Sequence, residues 1–382
     1  MTEDSDQRSS PSRRTVIAAS VAGLAGAAGC LGGSEATVDG GDSENVPDEW
    51  PDWPESPADR PVPGDGAEYV DMFPQPAERL YELQEFNAGA DQLREQLEDP
   101  RDEPRYGEPV WELGDDEETI APDPLVFTFV PDDEPQVFID AFDEYMANIE
   151  AETGHSVEYR PVDSYAAQVE AMRSERLHVA RISSGILPFA VNLAGAQPFA
   201  HILAGERYGN AFWMITQRDS DINQITDLDG ELVHHADPGS GSGNLEPRVF
   251  VQEDTDLVPE EDYDIEFSGA HDTSAIGIGR GDFKVGPVGG PTFERLARND
   301  QIDAENFKVV YKGPVFPRGP FSYIYNLDPE LKEGIERATF DYDYEGTTME
   351  DELRYNNFAP VDYATTYDPT LTVHQQLGIE YT

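Results

Sequence analysis

Ala236-Asp-Pro-Gly-Ser-Gly-Ser-Gly-Asn-Leu-Glu-Pro247 follows directly on the apolar–polar stretch Glu231 to His235. The order reads as strand, Gly/Ser loop, helix start. Such a junction points free backbone N–H groups and Ser hydroxyls at one spot, and the helix dipole adds partial positive charge there. It is a ready site for an oxyanion. Helix capping alone accounts for such a loop equally well, so the surrounding chain has to decide. A helix over residues 243–252 would carry Pro247 in or near its first turn, where proline is tolerated.

On either side of this stretch the pattern repeats. Leu125 to Val130 is a compact apolar strand, and Phe138, Phe142, Tyr145, Met146 and Ile149 follow at helical spacing, with Gly154 as the stop. Val157 and Tyr159 alternate as a strand. Asp163-Ser164 caps a second helix carrying Ala166, Val169 and Met172, and His178 to Ile182 is a third strand. This β-α-β-α-β series predicts a parallel sheet covered by helices. A strand around Ala211 to Thr216 begins a second series. It continues with strands at Ile265–Phe267, Phe283–Val288 and Phe307–Tyr311, and with helices after His271-Asp272 and at Thr292–Arg298. Asp328-Pro329 opens a late helix whose buried face is Leu331, Ile335 and Ala338. The two halves read as similar α/β units.

The 382 residues suffice for two domains. They carry 78 acidic and 25 basic residues, a formal charge of -53. Only Lys284, Lys308, Lys312 and Lys332 are lysines; the other basic residues are Arg. Such a charge strains a compact chain by self-repulsion, which molar salt removes by shortening the screening length to about 3 Å. Acid excess with scarce Lys is the composition expected of a halophilic, archaeal-type protein. With 38% hydrophobic residues and clear periodicity, an acidic disordered chain is the weaker reading. No basic patch is there to displace counterions, so nucleic acid is not an expected partner.

In open α/β sheets, ligands collect beyond the carboxyl ends of strands. Four loops meet that description: Asp163-Ser164-Tyr165, Ser183-Ser184-Gly185, Ser240-Gly241-Ser242-Gly243, and Ser268 to Asp272. Each offers hydroxyls, free amides or an imidazole, and none offers a cluster of Lys or Arg. The inventory suits capture of a small tetrahedral oxyanion by neutral donors. His234-His235 falls within a strand, and no Cys, His or carboxylate spacing supports a metal there. No cofactor is expected.

These loops, in this order, resemble the phosphate/phosphite/phosphonate substrate-binding proteins of ABC importers. The similarity runs from about Leu125 to about Ala338. It is carried by Asp163-Ser-Tyr-Ala-Ala-Gln-Val-Glu-Ala-Met-Arg173, by Asp237-Pro-Gly-Ser-Gly-Ser-Gly243 with Pro247-Arg248, and by Phe267-Ser-Gly-Ala-His-Asp272. The resemblance implies a type II periplasmic-binding fold: two doubly wound α/β lobes joined by two crossover strands, near Trp213–Gln217 and Gly313–Tyr323. Lobe 1 would be residues 123–216 plus 318–382, and lobe 2 residues 217–317. It implies ligand contacts from Tyr165, Ser183, Ser184 and Gly185 on the first lobe and from Ser240, Gly241, Ser242, His271 and Asp272 on the second. His271 would donate a hydrogen bond, and Asp272 would orient His271 or accept from a protonated ligand oxygen. Gly241 stands where the family's serine-threonine-serine loop has its middle hydroxyl. Gly289 and Gly290 stand where some aminophosphonate binders have an acid. The implied ligand is phosphate, phosphite or a simple phosphonate, held by charge-assisted hydrogen bonds of roughly 1.5–3 kcal/mol each, and the implied partners are ABC permease subunits.

The amino-terminal region fits that reading. Arg13-Arg14 precede an uncharged run, Thr15 to Gly29, closed by Ala27-Ala28-Gly29-Cys30, which resembles a twin-arginine export signal with a lipoprotein cleavage site. Residues 1–29 would be the signal and Cys30, the single cysteine, the lipidated residue. An uncleaved anchor is the alternative. Either places the protein outside the cytoplasm, held at the outer face of the membrane. Residues 30–63 read as a flexible acidic linker, and 64–122 as an amino-terminal extension. Two other functions compete. One is a protein of the same fold for another solute, such as a sulfonate or a vitamin precursor. The other is an extracellular phosphoesterase using Ser240 or Ser242 with His271 and Asp272, although adjacency in sequence makes mutual orientation of that pair awkward.

Overall fold

Leu125–Thr128, a fully buried apolar strand, organises the first of two six-stranded sheets. It pairs in parallel with Val157–Tyr159 on one side and Val179–Arg181 on the other. Beyond Val179–Arg181 the sheet continues antiparallel through Phe321–Ile324, Ala196–Leu203 and Asn357–Pro360. The second sheet repeats the plan. Leu232–His235 pairs in parallel with Asp264–Phe267 and Val285–Gly289, and the antiparallel strands Phe212–Gln217, Phe307–Lys312 and Gln75–Pro76 follow. The computed structural model describes residues 45–51, 72–114, 117–131 and 135–382. The expected signal, Cys30, most of the linker and residues 64–71 lie outside the described residues.

The sheets are therefore mixed rather than purely parallel. In each sheet the strand that arrives from the other one, Phe321–Ile324 in the first and Phe212–Gln217 in the second, runs against the parallel trio, and so do the edge strands Asn357–Pro360 and Gln75–Pro76. Periodicity within one strand carries no record of direction, so this was not readable locally. The first connection also differs from expectation. Phe212–Gln217 lies inside the second sheet, between Phe307–Lys312 and Val285–Gly289. The chain thus passes from sheet to sheet between Leu203 and Phe212, not at Trp213–Gln217. The return passage runs from Lys312 to Phe321.

Each sheet has its own core. The first has an aromatic cluster within it: Phe127, Phe142, Tyr145, Phe321 and Phe358 pack with ring centroids 5.5–6.2 Å apart. Phe142 is a corner at φ -102 and ψ 9, so the expected single helix is two, Pro135–Ala141 and Asp143–Thr153. The second core gathers Trp213, Phe293 and Phe307. Phe86 from the amino-terminal extension joins it, 5.8 Å from Trp213. The extension is shared out. Gln75–Pro76 and the helix Ala77–Glu82 build on the second sheet, while Trp111 O accepts from Gln197 and Ile120 bridges to Leu327 on the first. The helix Asp368–Gln376 reaches across: its Val373 packs with Leu245, Val249 and Phe316, and Gln376 donates to Glu253 over 2.7 Å.

Candidate functional site

The carboxyl ends of the parallel strands in both sheets converge on one cleft with ≈ 90 Å³ of interior space. Of the nine ligand residues expected from sequence, Tyr165, Ser183, Ser184, Ser240, Ser242 and His271 line it. The order in which the sheets are wound brings them there. Ser183 and Ser184 follow Val179–Arg181, Ser240 follows Leu232–His235, and His271 follows Asp264–Phe267.

Ser240 caps a wide π-helical turn, Gly241–Leu245, and its Oγ accepts from Gly243 N at 3.1 Å. Pro247 then falls in the first turn of the helix Glu246–Thr255. His271, the first residue of the helix His271–Arg280, is 5% exposed. Burial lowers its pKa to about 4, against a weaker upward pull from Asp272, so the ring is neutral at pH 7. Gly289 N donates to its Nδ1 at 3.2 Å. A backbone N–H can only donate, so Nδ1 is the bare nitrogen and Nε2 carries the proton. Nε2 lies 3.0 Å from Ser240 Oγ and donates to it. Ser240 Oγ therefore accepts twice, from Gly243 and His271. Its own proton is left to donate into the cleft.

His271 accordingly addresses Ser240 where direct donation to a ligand was expected. Asp272 does not orient it. The Asp272 carboxylate accepts from Thr273 N at 2.6 Å and from Thr273 Oγ1, and it does not line the cleft. Adjacent residues at a helix start diverge by about 100°, which sends the two side chains to different faces.

Gly185 and Gly241 stand behind the cleft, where the loops of the two sheets touch. A Cβ on Gly185 would lie 2.4 Å from Gly241 N. A Cβ on Gly241 would lie 2.9 Å from Ser184 Oγ and 2.8 Å from Glu246 Oε1. The space of the missing middle side chain is thus taken by a hydroxyl from the opposite loop. The Gly185 carbonyl is held by His374 Nε2 at 2.9 Å, whose Nδ1 accepts from Tyr381 at 3.1 Å. Beneath the loop Glu246 is 3% exposed, and burial pushes its pKa up to about 8, so it is protonated at pH 7.

Three contributors were missed from sequence. Asn210, on the first connection, donates from Nδ2 to Ser242 Oγ at 3.0 Å, and its Oδ1 is buried without a partner among the described residues. Gln84, Phe86 and Asn87 of the extension line one wall. The third is charge. Arg181, Arg295, Arg298, Arg318 and Arg354 all line the cleft, with Glu294 the single carboxylate among the described lining residues. None of these arginines belongs to the four loops expected from sequence, which offer hydroxyls, amides and an imidazole. These residues are scattered through the sequence and gather only in three dimensions. No group of three or more His, Cys, Asp or Glu is placed to hold a metal among the described residues.

Residues 127–367, well over half the chain, match the family model described as "ABC transporter, phosphonate, periplasmic substrate-binding protein". The phosphonates-binding periplasmic protein of Escherichia coli K12 is 23% identical over 241 residues, covering 62% of this chain and 70% of its own. The phosphate-import protein PhnD of Mycolicibacterium smegmatis is 26% identical over 250 residues, 60% and 75% of the two chains. The crystal structure of PhnD1 from Prochlorococcus marinus with methylphosphonate superposes with a TM-score of 0.59 at 16% identity, covering 68% of this chain and 99% of that one. That structure shares the two-lobed type II periplasmic-binding fold. These two relatives are named for binding and import, and the matched family model is that of a substrate-binding protein. The chain belongs to the phosphonate family of periplasmic substrate-binding proteins of ABC transporters.

Proposed function

We propose that this protein captures a small phosphorus oxyanion, phosphate, phosphite or a simple phosphonate, in the cleft between its two sheets and delivers it to an ABC permease. The observation that carries the reading is the Ser240 hydroxyl. With both acceptor positions engaged by Gly243 and His271, it is a fixed donor aimed at the cleft. Ser242, Ser183 and Ser184 stand around the same space. Ligand binding shifts the lobes toward the closed form by contacts made only there. Gly289 leaves no carboxylate at the strand end for a ligand amine, which argues against an aminophosphonate.

The ligand contacts are Tyr165, Ser183, Ser184, Ser240 and Ser242, with Gly185, Gly241 and His271 positioning them. Cys30, behind Arg13-Arg14 and a short uncharged run, is the lipid attachment point that tethers the protein to the outer face of the membrane. The charge of -53 with four lysines supports a halophilic, archaeal setting. Calorimetric titration in about 3 M KCl, where charge repulsion is screened, tests the reading. Phosphate, phosphite, methylphosphonate and sulfate form the panel. One-to-one binding of a phosphorus anion without turnover supports it; silence from a folded protein transfers the cleft to another solute.

A further inference from the structure

Arg181 is the last residue of the strand Val179–Arg181, 7% exposed, with its guanidinium 4.8 Å above the Phe129 ring. Its Nε has no hydrogen-bond partner, and no carboxylate pairs with it among the described residues. A buried guanidinium stays charged, and an uncompensated buried charge is costly. In a chain with 78 acidic residues, the lack of a carboxylate beside this one cation is a property of the site.

The neighbouring arginines are engaged differently. Arg318 donates from Nε to Gly209 O at 2.7 Å and from Nη1 to Tyr355 OH. Arg298 and Arg354 share Glu294, at 3.5 and 3.0 Å. The one carboxylate of the described lining is thereby committed to two cations. An ammonium in this cleft meets Arg side chains and the bare Gly289, whereas an anion meets Arg181.

Taking the phosphorus-oxyanion reading as its basis, we propose that the preferred ligand carries a second anionic group, as a phosphonocarboxylate or an organic diphosphonate does, and that Arg181 binds it. The Ser240–Ser242 loop holds one phosphorus oxyanion group through hydroxyls. Arg181 receives the other group with its planar fork, which suits a carboxylate or phosphonate. Selectivity follows from sign: a neutral tail leaves Arg181 unpaired, and a cationic tail is repelled.

The test is the affinity ratio of phosphonoacetate to methylphosphonate, measured in about 3 M KCl so that only contact-range charge survives screening. The proposal expects phosphonoacetate to bind tighter by about tenfold or more, the worth of one charged hydrogen-bonded contact. It expects 2-aminoethylphosphonate to bind more weakly than methylphosphonate. In Arg181→Gln the ratio falls toward one, and in Arg181→Lys it is partly restored; thermal unfolding identifies any variant that has lost its fold. A wild-type ratio near one, or a ratio unchanged in Arg181→Gln with a folded protein, overturns the proposal. Methylphosphonate binding with a ratio of one overturns this inference alone. No binding of either ligand overturns the phosphorus reading and this inference together.

Discussion

His271 Nε2 stands 3.0 Å from Ser240 Oγ, while its Nδ1 accepts from Gly289 N. One backbone amide on a third strand thus fixes the tautomer of a buried, neutral imidazole, and the imidazole fixes the direction in which a serine hydroxyl donates. Three segments from three strand ends are coupled through that single ring.

Removal of the ring should release the Ser240 hydroxyl to bond elsewhere. His271→Ala is expected to weaken methylphosphonate binding about tenfold, the cost of losing one oriented buried hydrogen bond. His271→Gln, which keeps an N–H donor, should recover part of it. Asp272→Asn should stay within about twofold, since its carboxylate serves Thr273. Titration calorimetry on the three variants separates a positioning role from an Asp-His pair.

The Gly241 gap makes a test of packing across the cleft. Gly241→Thr sets a Cβ 2.9 Å from Ser184 Oγ and 2.8 Å from Glu246 Oε1, so the variant alone should lose stability by about 1–3 kcal/mol. Ser184→Ala in the same chain removes one of the two obstructions. The double variant is expected to be more stable than the sum of single effects allows, measured by thermal unfolding.

How far the sequence could be read follows from how local each feature is. Ser164 caps its helix by accepting from Ala167, Gly154 ends one at φ 71, and Asp328 accepts from Glu330, all within four residues of the signal that announced them. The Ser/Gly loop was legible for the same reason. Arg181, Asn210 and Gln84 were not, because each is placed by strand order or by a distant segment that crosses to the other sheet. Arg181 sits within the short strand Val179–Arg181, where its buried setting and its lack of a carboxylate exist only after folding.

Gly289 offers a place to test the sign of the accepted substituent. A Cβ there would lie 3.1 Å from both Asn210 Oδ1 and Ser242 Oγ, a fit that needs only a small shift of the amide. Gly289→Asp should weaken methylphosphonate by about tenfold through repulsion and raise the relative affinity for 2-aminoethylphosphonate. The readout is the ratio of the two dissociation constants, which should reverse.

Stability should be highest between the two groups of shifted residues. His271 and His374 are held by burial at about 4, and His201 and His235 at about 3, all below the ordinary 6.5. The unfolded chain binds more protons than the folded one below pH 6.5, so stability falls as pH drops from there toward 4. Glu246 acts oppositely. With its folded pKa pushed up to about 8 from 4.5, it binds more protons folded than unfolded, and stability falls as pH rises from 4.5 through 8. Glu246→Gln should therefore raise the melting temperature by several degrees at pH 9 and change it little near pH 4.

Donation by Ser240 to a phosphorus oxyanion between the lobes can be measured on one side chain. Its most direct test is calorimetric titration of methylphosphonate into wild-type protein and Ser240→Ala, both in about 3 M KCl with folding verified by circular dichroism. Saturable one-to-one binding by the wild type is expected, with a loss of about tenfold or more in the variant, the range for a charge-assisted hydrogen bond. Equal affinity in the two proteins would contradict donation by Ser240.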